Sequence, residues 1–164
     1  MDFKDIDLNK ITINNKIIEY NGKRGLHIKT PRMRIPFGLD EEYGKYILKL
    51  EFSDFYKDDD MKDFHDFINN LERIFMNHFG NAGEFKSLIR RSKSYDPMYC
   101  PKVMERYNRL ECQVIDKDNL TTIHEINKNI YVNAFLSLDR LWEMNKRNKL
   151  RNGYIVYVKK IVCV

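Results

Sequence analysis

Two short runs of alternating residues flank Pro36-Phe37-Gly38 and limit what this chain can fold into. In the first, Leu26, Ile28, Met33 and Ile35 fall on one side of an extended backbone. His27, Lys29, Arg32 and Arg34 fall on the other, and the phase is reset at Thr30-Pro31. In the second run, Tyr46, Leu48, Leu50 and Phe52 point one way and Lys45, Lys49 and Glu51 the other, with Ile47 as the exception. A period of two marks a half-buried strand, because successive side chains leave opposite faces of the pleat. Proline cannot donate to a ladder and glycine permits a sharp change of direction, so the tripeptide ends one strand and redirects the chain. The expectation is a curved sheet with an apolar inner face and a cationic outer one.

The same pattern recurs along most of the chain. Ile11, Ile13, Ile17, Ile18 and Tyr20 predict strand broken by a turn at Asn14-Asn15, and Asn21-Gly22-Lys23-Arg24-Gly25 predicts a hairpin loop. After an acidic loop at residues 40–43, the spacing predicts one long helix over residues 58–79, with Phe64, Phe67, Ile68, Leu71, Ile74 and Phe75 on its apolar stripe. Aspartates in its first turn complement the dipole, and Gly80 and Gly83 stop it. Pro97 and Pro101 argue against one continuous element in residues 85–109. Leu110, Cys112 and Val114 alternate before a turn at Asp116-Lys117-Asp118-Asn119, and a short strand or bend covers residues 121–126. The longest alternation puts Ile130, Val132, Ala134, Leu136 and Leu138 on one face and Tyr131, Asn133, Phe135 and Ser137 on the other, running toward Trp142. A basic loop at residues 146–151 ends at Asn152-Gly153, and a β-branched strand from Tyr154 to Val162 follows. With residues 1–10 as a polar lead-in, the order predicts a single domain over residues 1–164. Its class is mainly β with an inserted helix (α+β), an antiparallel barrel or sandwich.

Charge and chemistry narrow the function. A net charge of +5 permits a polyanionic partner without requiring one, but its distribution is uneven. Acids gather at residues 40–42 and 54–66, bases at 86–109 and 146–160, which predicts an acidic and a basic side. Cys100, Cys112 and Cys163 are odd in number and widely spaced, so neither a disulfide framework nor a zinc ribbon is indicated and a reducing compartment is the default. His27, His65, His78 and His124 lack the spacing of a metal site. Gly22 and Gly25 lack the Lys-Ser/Thr of a phosphate loop. Asp58, Asp59, Asp60, Asp63 and Asp66 are explained by the helix N-terminus, with no lysine or further carboxylate to complete a nuclease site. No catalytic residue, metal or cofactor is therefore expected. The charged N-terminus and the lack of a long apolar run predict a soluble intracellular protein with no membrane partner.

Cations interleaved with rings on a sheet face suit single-stranded nucleic acid. Bases stack on exposed aromatics at about 1–3 kcal/mol each while lysines and arginines follow the phosphates. The candidates on the outer face are Lys29, Arg32, Arg34 and Lys49, joined by Tyr131 and Phe135 on the later long strand. Arg90, Arg91, Lys93, Tyr95, Tyr99, Lys102, Arg106 and Tyr107 are expected to form a mobile basic, aromatic flap. Taken singly, each of these is equally a solvated charge or a packing ring, and only the clustering singles out the set.

Thr30-Pro31-Arg32-Met33-Arg34-Ile35-Pro36-Phe37-Gly38, the Tyr46-to-Phe52 strand, the helix after it and the terminal Leu141-Trp142-loop-strand resemble a known family. It is the single-stranded-DNA-binding proteins of nucleocytoplasmic large DNA viruses, related to the OB-fold proteins of T-odd phages. The resemblance runs from about Leu26 to the C-terminus and implies an OB-fold-like antiparallel barrel. It also implies a non-catalytic protein that coats single-stranded DNA in viral replication, recombination or repair, in the host cytoplasm or a viral factory. Replication proteins or further copies of the chain are the implied protein partners, and RNA in place of DNA stays open. The phage-type relatives end in an acidic tail with a terminal aromatic residue, whereas this chain ends Lys159-Lys160-Ile161-Val162-Cys163-Val164, so that recruitment role is not carried over. The motif is chiefly architectural and transfers no DNA contact residue by residue. The alternative is a structural or assembly protein of a virion or larger complex, pairing with protein through the apolar Ile161-Val162-Cys163-Val164.

Overall fold

In the computed structural model, which describes residues 1–117 and 119–164, 3-10 turns at Phe3–Asp5 and Leu8–Lys10 lead into a strand-rich chain. The strands before the helix are β1 (Ile11–Asn14), β2 (Ile17–Tyr20), β3 (Lys23–Arg24), β4 (Leu26–Lys29), β5 (Met33–Ile35), β6 (Leu39–Glu42), β7 (Lys45–Leu48) and β8 (Leu50–Glu51). Helix α1 spans Asp59–His78. Short strands follow: β9 (Glu84–Lys86), β10 (Ile89–Arg90), β11 (Met98–Tyr99), β12 (Lys102–Val103), β13 (Glu105–Arg106), β14 (Arg109–Leu110), β15 (Gln113–Asp116) and β16 (Asn119–Thr121). Two long strands, β17 (Ile130–Lys146) and β18 (Lys149–Cys163), complete the chain. The turn expected at Asp116-Lys117-Asp118-Asn119 includes Asp118, which lies outside the described residues.

The β17–β18 hairpin is the spine. Along its free edge β17 takes β5, then β4, then β2, all antiparallel, while β18 takes β9, β12 and β15 in parallel along its own. The expected closed antiparallel barrel is therefore corrected to a large mixed sheet, sixteen strands among the described residues, with hydrogen-bonded order β10-β11-β8-β5-β17-β18-β12-β7-β6. Only Lys49 separates β7 from β8, so the return between distant parts of that order is made by the covalent chain and not by a ladder.

The alternation at residues 26–52 is realised. Leu26, Ile28, Met33, Ile35, Leu48, Leu50 and Phe52 are all buried, and the break at Thr30-Pro31-Arg32 separates β4 from β5. Ile47, the exception to the alternation, is buried on the opposite side with Met98 and Cys100, where Phe37 packs against them. Helix α1 begins as expected, with Asp58 accepting from the Met61 N–H at 3.1 Å, and lays Phe64, Ile68, Leu71 and Phe75 on the inner face. Each such side chain contributes roughly 1.5–3 kcal/mol by leaving water. The lead-in is not merely polar: Phe3 and Ile6 are buried, and the Phe3 ring meets Phe64 and Phe67 at 5.0 and 5.7 Å.

Local turn signals misplace three features. The turn expected at Asn14-Asn15 falls on Asn15-Lys16, at φ 52° and 69°. The acidic segment expected as a loop is β6, which pairs with β7 through a turn at Tyr43-Gly44. The basic loop expected at residues 146–151 is the end of the long hairpin, turning at Arg147-Asn148 with φ 53° and 59°. Asn152-Gly153 sits inside β18, where the Asn152 amide donates to the Ala82 carbonyl at 2.6 Å. A Cβ on Gly153 would lie 2.8 Å from the Trp142 ring, so glycine is what lets the indole cross the backbone there. No helix among the described residues is long and apolar enough to cross a membrane.

Candidate nucleic-acid interface

The outward residues of β17 alternate with its buried Val132, Ala134, Leu136 and Leu138, and cross-strand register decides what stands beside them. Phe135 is opposite Lys29 of β4 on one side and Lys160 of β18 on the other. Both ammoniums lie over its ring, at 5.9 and 4.7 Å from the centroid. Tyr131 is opposite Arg34, and the Arg32 guanidinium covers its ring at 3.9 Å. The next outward row is His27, Ser137, Tyr157 and Lys102, with Lys159 over Tyr157 at 5.5 Å. Half-exposed rings each flanked by a cation therefore line one sheet face. The cation–π contact holds each ring in place and sets a positive charge beside it.

Sequence reasoning missed Lys160, Lys159 and Tyr157. Register shifts between Phe135 and Leu136, where Ala134 pairs with Ile161, Phe135 with Lys160 and Leu136 with Val158, so Lys159 is an extra residue on β18. That bulge turns Lys160 outward while leaving Val158 and Ile161 buried. The only signal in the chain was two consecutive lysines interrupting an apolar strand.

Other predicted residues are tied elsewhere. Arg34 makes a two-point contact with Glu51, Nη2 to Oε2 at 2.9 Å and Nε to Oε1 at 3.1 Å, and Glu51 also accepts from the Ser53 hydroxyl. Glu51 stands on the outward side opposite Arg34, as the alternation predicts, but is buried there. Lys49 lies 2.8 Å from Asp40, whose carboxyl it holds below the usual range, and 3.8 Å from Glu42. Arg90 donates to both oxygens of Glu42 at 2.8 and 2.7 Å. This part of the outer face is thus charge-balanced by β6 and is not a cationic surface.

The expected flap over residues 90–107 is also corrected. Strands β10, β11 and β12 belong to the main sheet, and Tyr99 is wholly buried with its hydroxyl 2.8 Å from that of Tyr154. A ring so enclosed has no face left for a base. Tyr95 stays exposed and meets Phe37 edge-on at 5.9 Å, beside Arg91, while Lys93 is exposed in the same segment. Strands β13 and β14 form a separate two-stranded sheet that carries Tyr107 almost fully exposed at its turn, and Arg106 pairs there with Glu111 at 3.2 Å. Burial pushes Cys100 up to about 11 and Cys112 up to about 12, which keeps both as unreactive thiols. Among the described residues no three His, Cys, Asp or Glu side chains gather as metal ligands.

Arg91 instead touches the helix. Its Nη2 lies 3.1 Å from Nε2 of His65, whose ring packs between Phe52 and Phe55 at 5.0 and 4.7 Å. Burial first, then the Arg91 charge, pushes the His65 imidazole below its ordinary 6.5, against the opposing pull of Asp66. The unfolded chain therefore binds the extra proton more readily. This contribution to stability is fully present above about pH 6.5 and is lost as pH falls toward the folded-state value. Between about pH 7 and pH 5.5 the melting temperature is expected to fall more for the unaltered chain than for His65→Gln, and equal slopes would contradict it.

The fold and the face together define a class: a mainly β protein with one packed helix and a basic, aromatic sheet surface. Neither a protein-family model nor a curated protein sequence matches the chain. Among solved structures it is similar to the single-stranded DNA-binding protein from bacteriophage Enc34 in a C-terminally truncated form. The TM-score is 0.54 at 17% identity, over 94% of this chain and 95% of that one, which shows a shared fold. A looser likeness, TM-score 0.47 at 11% identity over 85% and 86% of the two chains, is to gp2.5, a single-stranded DNA binding protein encoded by bacteriophage T7.

Proposed function

We propose that this chain is a non-catalytic single-stranded DNA-binding protein that holds the strand on the β17 face and acts in viral DNA replication, recombination or repair. The observation that carries it is the register placing Lys29, Phe135 and Lys160 in one row, beside Tyr131 capped by Arg32. Stacking on the rings with phosphate neutralisation by the cations gives binding with little sequence preference, and keeps the strand open and shielded from re-annealing. The shared fold with a phage protein that bears that name favours DNA over RNA as the first ligand to test. An affiliation with nucleocytoplasmic large DNA viruses rests on the motif at residues 30–38 and belongs to the proposal, as do replication-protein partners and self-association. Of the apolar segment named for the assembly alternative, Ile161 is buried in the core, while Val162 and Cys163 are half-buried and Val164 is exposed.

Fluorescence anisotropy with a labelled oligothymidylate of about sixteen nucleotides tests the reading. Binding is expected at low salt, with log K falling against log salt by about 0.7 for each phosphate neutralised, and no binding at low salt would end it.

Arg34 separates structural from ligand roles. Arg34→Ala is expected to cost about 2 kcal/mol in urea unfolding, because Glu51 is left buried without its cation. The cost stays under the fully buried range because the Arg34 side chain is 33% exposed. Oligonucleotide affinity of the folded variant should stay within about threefold of the unaltered chain, since a guanidinium spent on Glu51 has little left for phosphate.

A further inference from the structure

Past Tyr157 the outward face runs into a cleft in which two of the lysines, Lys45 and Lys102, have no ion-pair partner among the described residues. Lys102 of β12 stands opposite Tyr157 and Ile47, and Lys45 of β7 is its diagonal neighbour. The cleft is lined by Lys45, Lys102, Trp142, Met144 and Ile155. Glu143 also lines it but is engaged with Lys16 at 3.7 Å, and Lys86 is engaged with Glu84 at 3.3 Å. Among the described residues neither Lys45 nor Lys102 is in an ion pair, and the two line the same cleft as diagonal cross-strand neighbours. Lys102 is half-buried, and burial followed by the Lys45 charge pushes its ammonium below the usual lysine value.

Two adjacent ammoniums repel, and an anion placed between them removes the repulsion and pairs with both. We infer that Lys45 and Lys102 form a phosphodiester-binding subsite that carries a single strand off the Tyr131–Phe135 face and into the cleft beside Trp142. This rests on the functional reading above and extends it. Tyr157 lies between the two regions: it is one outward row from Phe135 along β17–β18 and directly opposite Lys102. Ile155 and Trp142 give the cleft an apolar wall against which a sugar or base can lie, while the lysines face the phosphates.

Trp142 is the single tryptophan, so its fluorescence reports on this cleft alone. The test compares the unaltered chain with Lys45→Ala/Lys102→Ala, using oligothymidylates of about four and about sixteen nucleotides, the two ends of the site-size range. The long oligonucleotide should alter Trp142 emission and the short one, held on the stacking face, should not. The double variant should bind the long one about tenfold more weakly at low salt, with a salt slope shallower by about 1.4 for two lost phosphate contacts, and bind the short one unchanged. Lys45→Glu, at an exposed position, should show the same selective loss and guards against a folding defect in the double variant. Equal affinity and slope for the long oligonucleotide in all variants would overturn the subsite alone. Failure of the unaltered chain to bind either oligonucleotide would overturn the functional reading and the subsite with it.

Discussion

Replacing Glu72 with alanine is expected to lower the unfolding free energy by about 3–5 kcal/mol, the largest stability loss of any single side chain considered. Glu72 is buried on α1 and one of its oxygens accepts from the Tyr154 hydroxyl at 2.5 Å and the Leu88 N–H at 2.9 Å. Its other oxygen accepts from the Ser87 hydroxyl at 2.5 Å. Tyr99 extends the chain through Tyr154, and burial pushes both phenols well above their ordinary value, so they remain donors. Alanine leaves three donors unpaired in an apolar interior and opens a cavity between helix and sheet. For a chain of this length that corresponds to a melting temperature lower by roughly 10 °C. Glu72→Gln should lose less because it keeps the shape and one acceptor. A loss under about 1 kcal/mol for the alanine variant would mean that the network does not tie α1 to β18.

The second large effect is on binding. Tyr131→Ala/Phe135→Ala is expected to weaken oligonucleotide affinity by about 2–6 kcal/mol, the sum of two stacking contacts at about 1–3 kcal/mol each. That is at least about thirtyfold and is measurable in a single anisotropy titration. Both rings are only half-buried on the outward face, so the fold should persist with little change in melting temperature. The salt slope should barely move, since no cation is removed, whereas Lys29→Ala/Lys160→Ala should flatten it by about 1.4. The two pairs of variants thus separate stacking from phosphate neutralisation on one face.

Local periodicity made much of this legible. The phase reset at Thr30-Pro31, the exceptional position of Ile47 and the first turn of α1 at Asp58 were all visible in the chain, because each is set by neighbours a few residues away. What was hidden depends on pairing between distant segments. Asp40 and Glu42 look like a solvated acidic loop until β6 is laid beside β7 and meets Lys49 and Arg90. Tyr99 reads as an exposed ring until its hydroxyl finds Tyr154, fifty-five residues away. Asn152-Gly153 carries a strong turn signal, yet the turn is made by Arg147-Asn148 because the glycine is needed against Trp142. The parallel ladders of β9, β12 and β15 on β18 leave no alternation that distinguishes them from antiparallel ones, so a mixed sheet was not foreseen. For the candidate face, alternation alone places Tyr131, Phe135, Lys29 and Arg32 on the outward side, whereas the position of Lys160 depends on the bulge at Lys159.

Ultraviolet crosslinking of the intact protein to an oligothymidylate, with the modified peptides identified by mass spectrometry, tests the central claim most directly. Adducts are expected at Tyr131 and Phe135, with Tyr157 next along the same face. Adducts confined to α1 or to the β6–β7 hairpin around Tyr43, with none on β17, would contradict it.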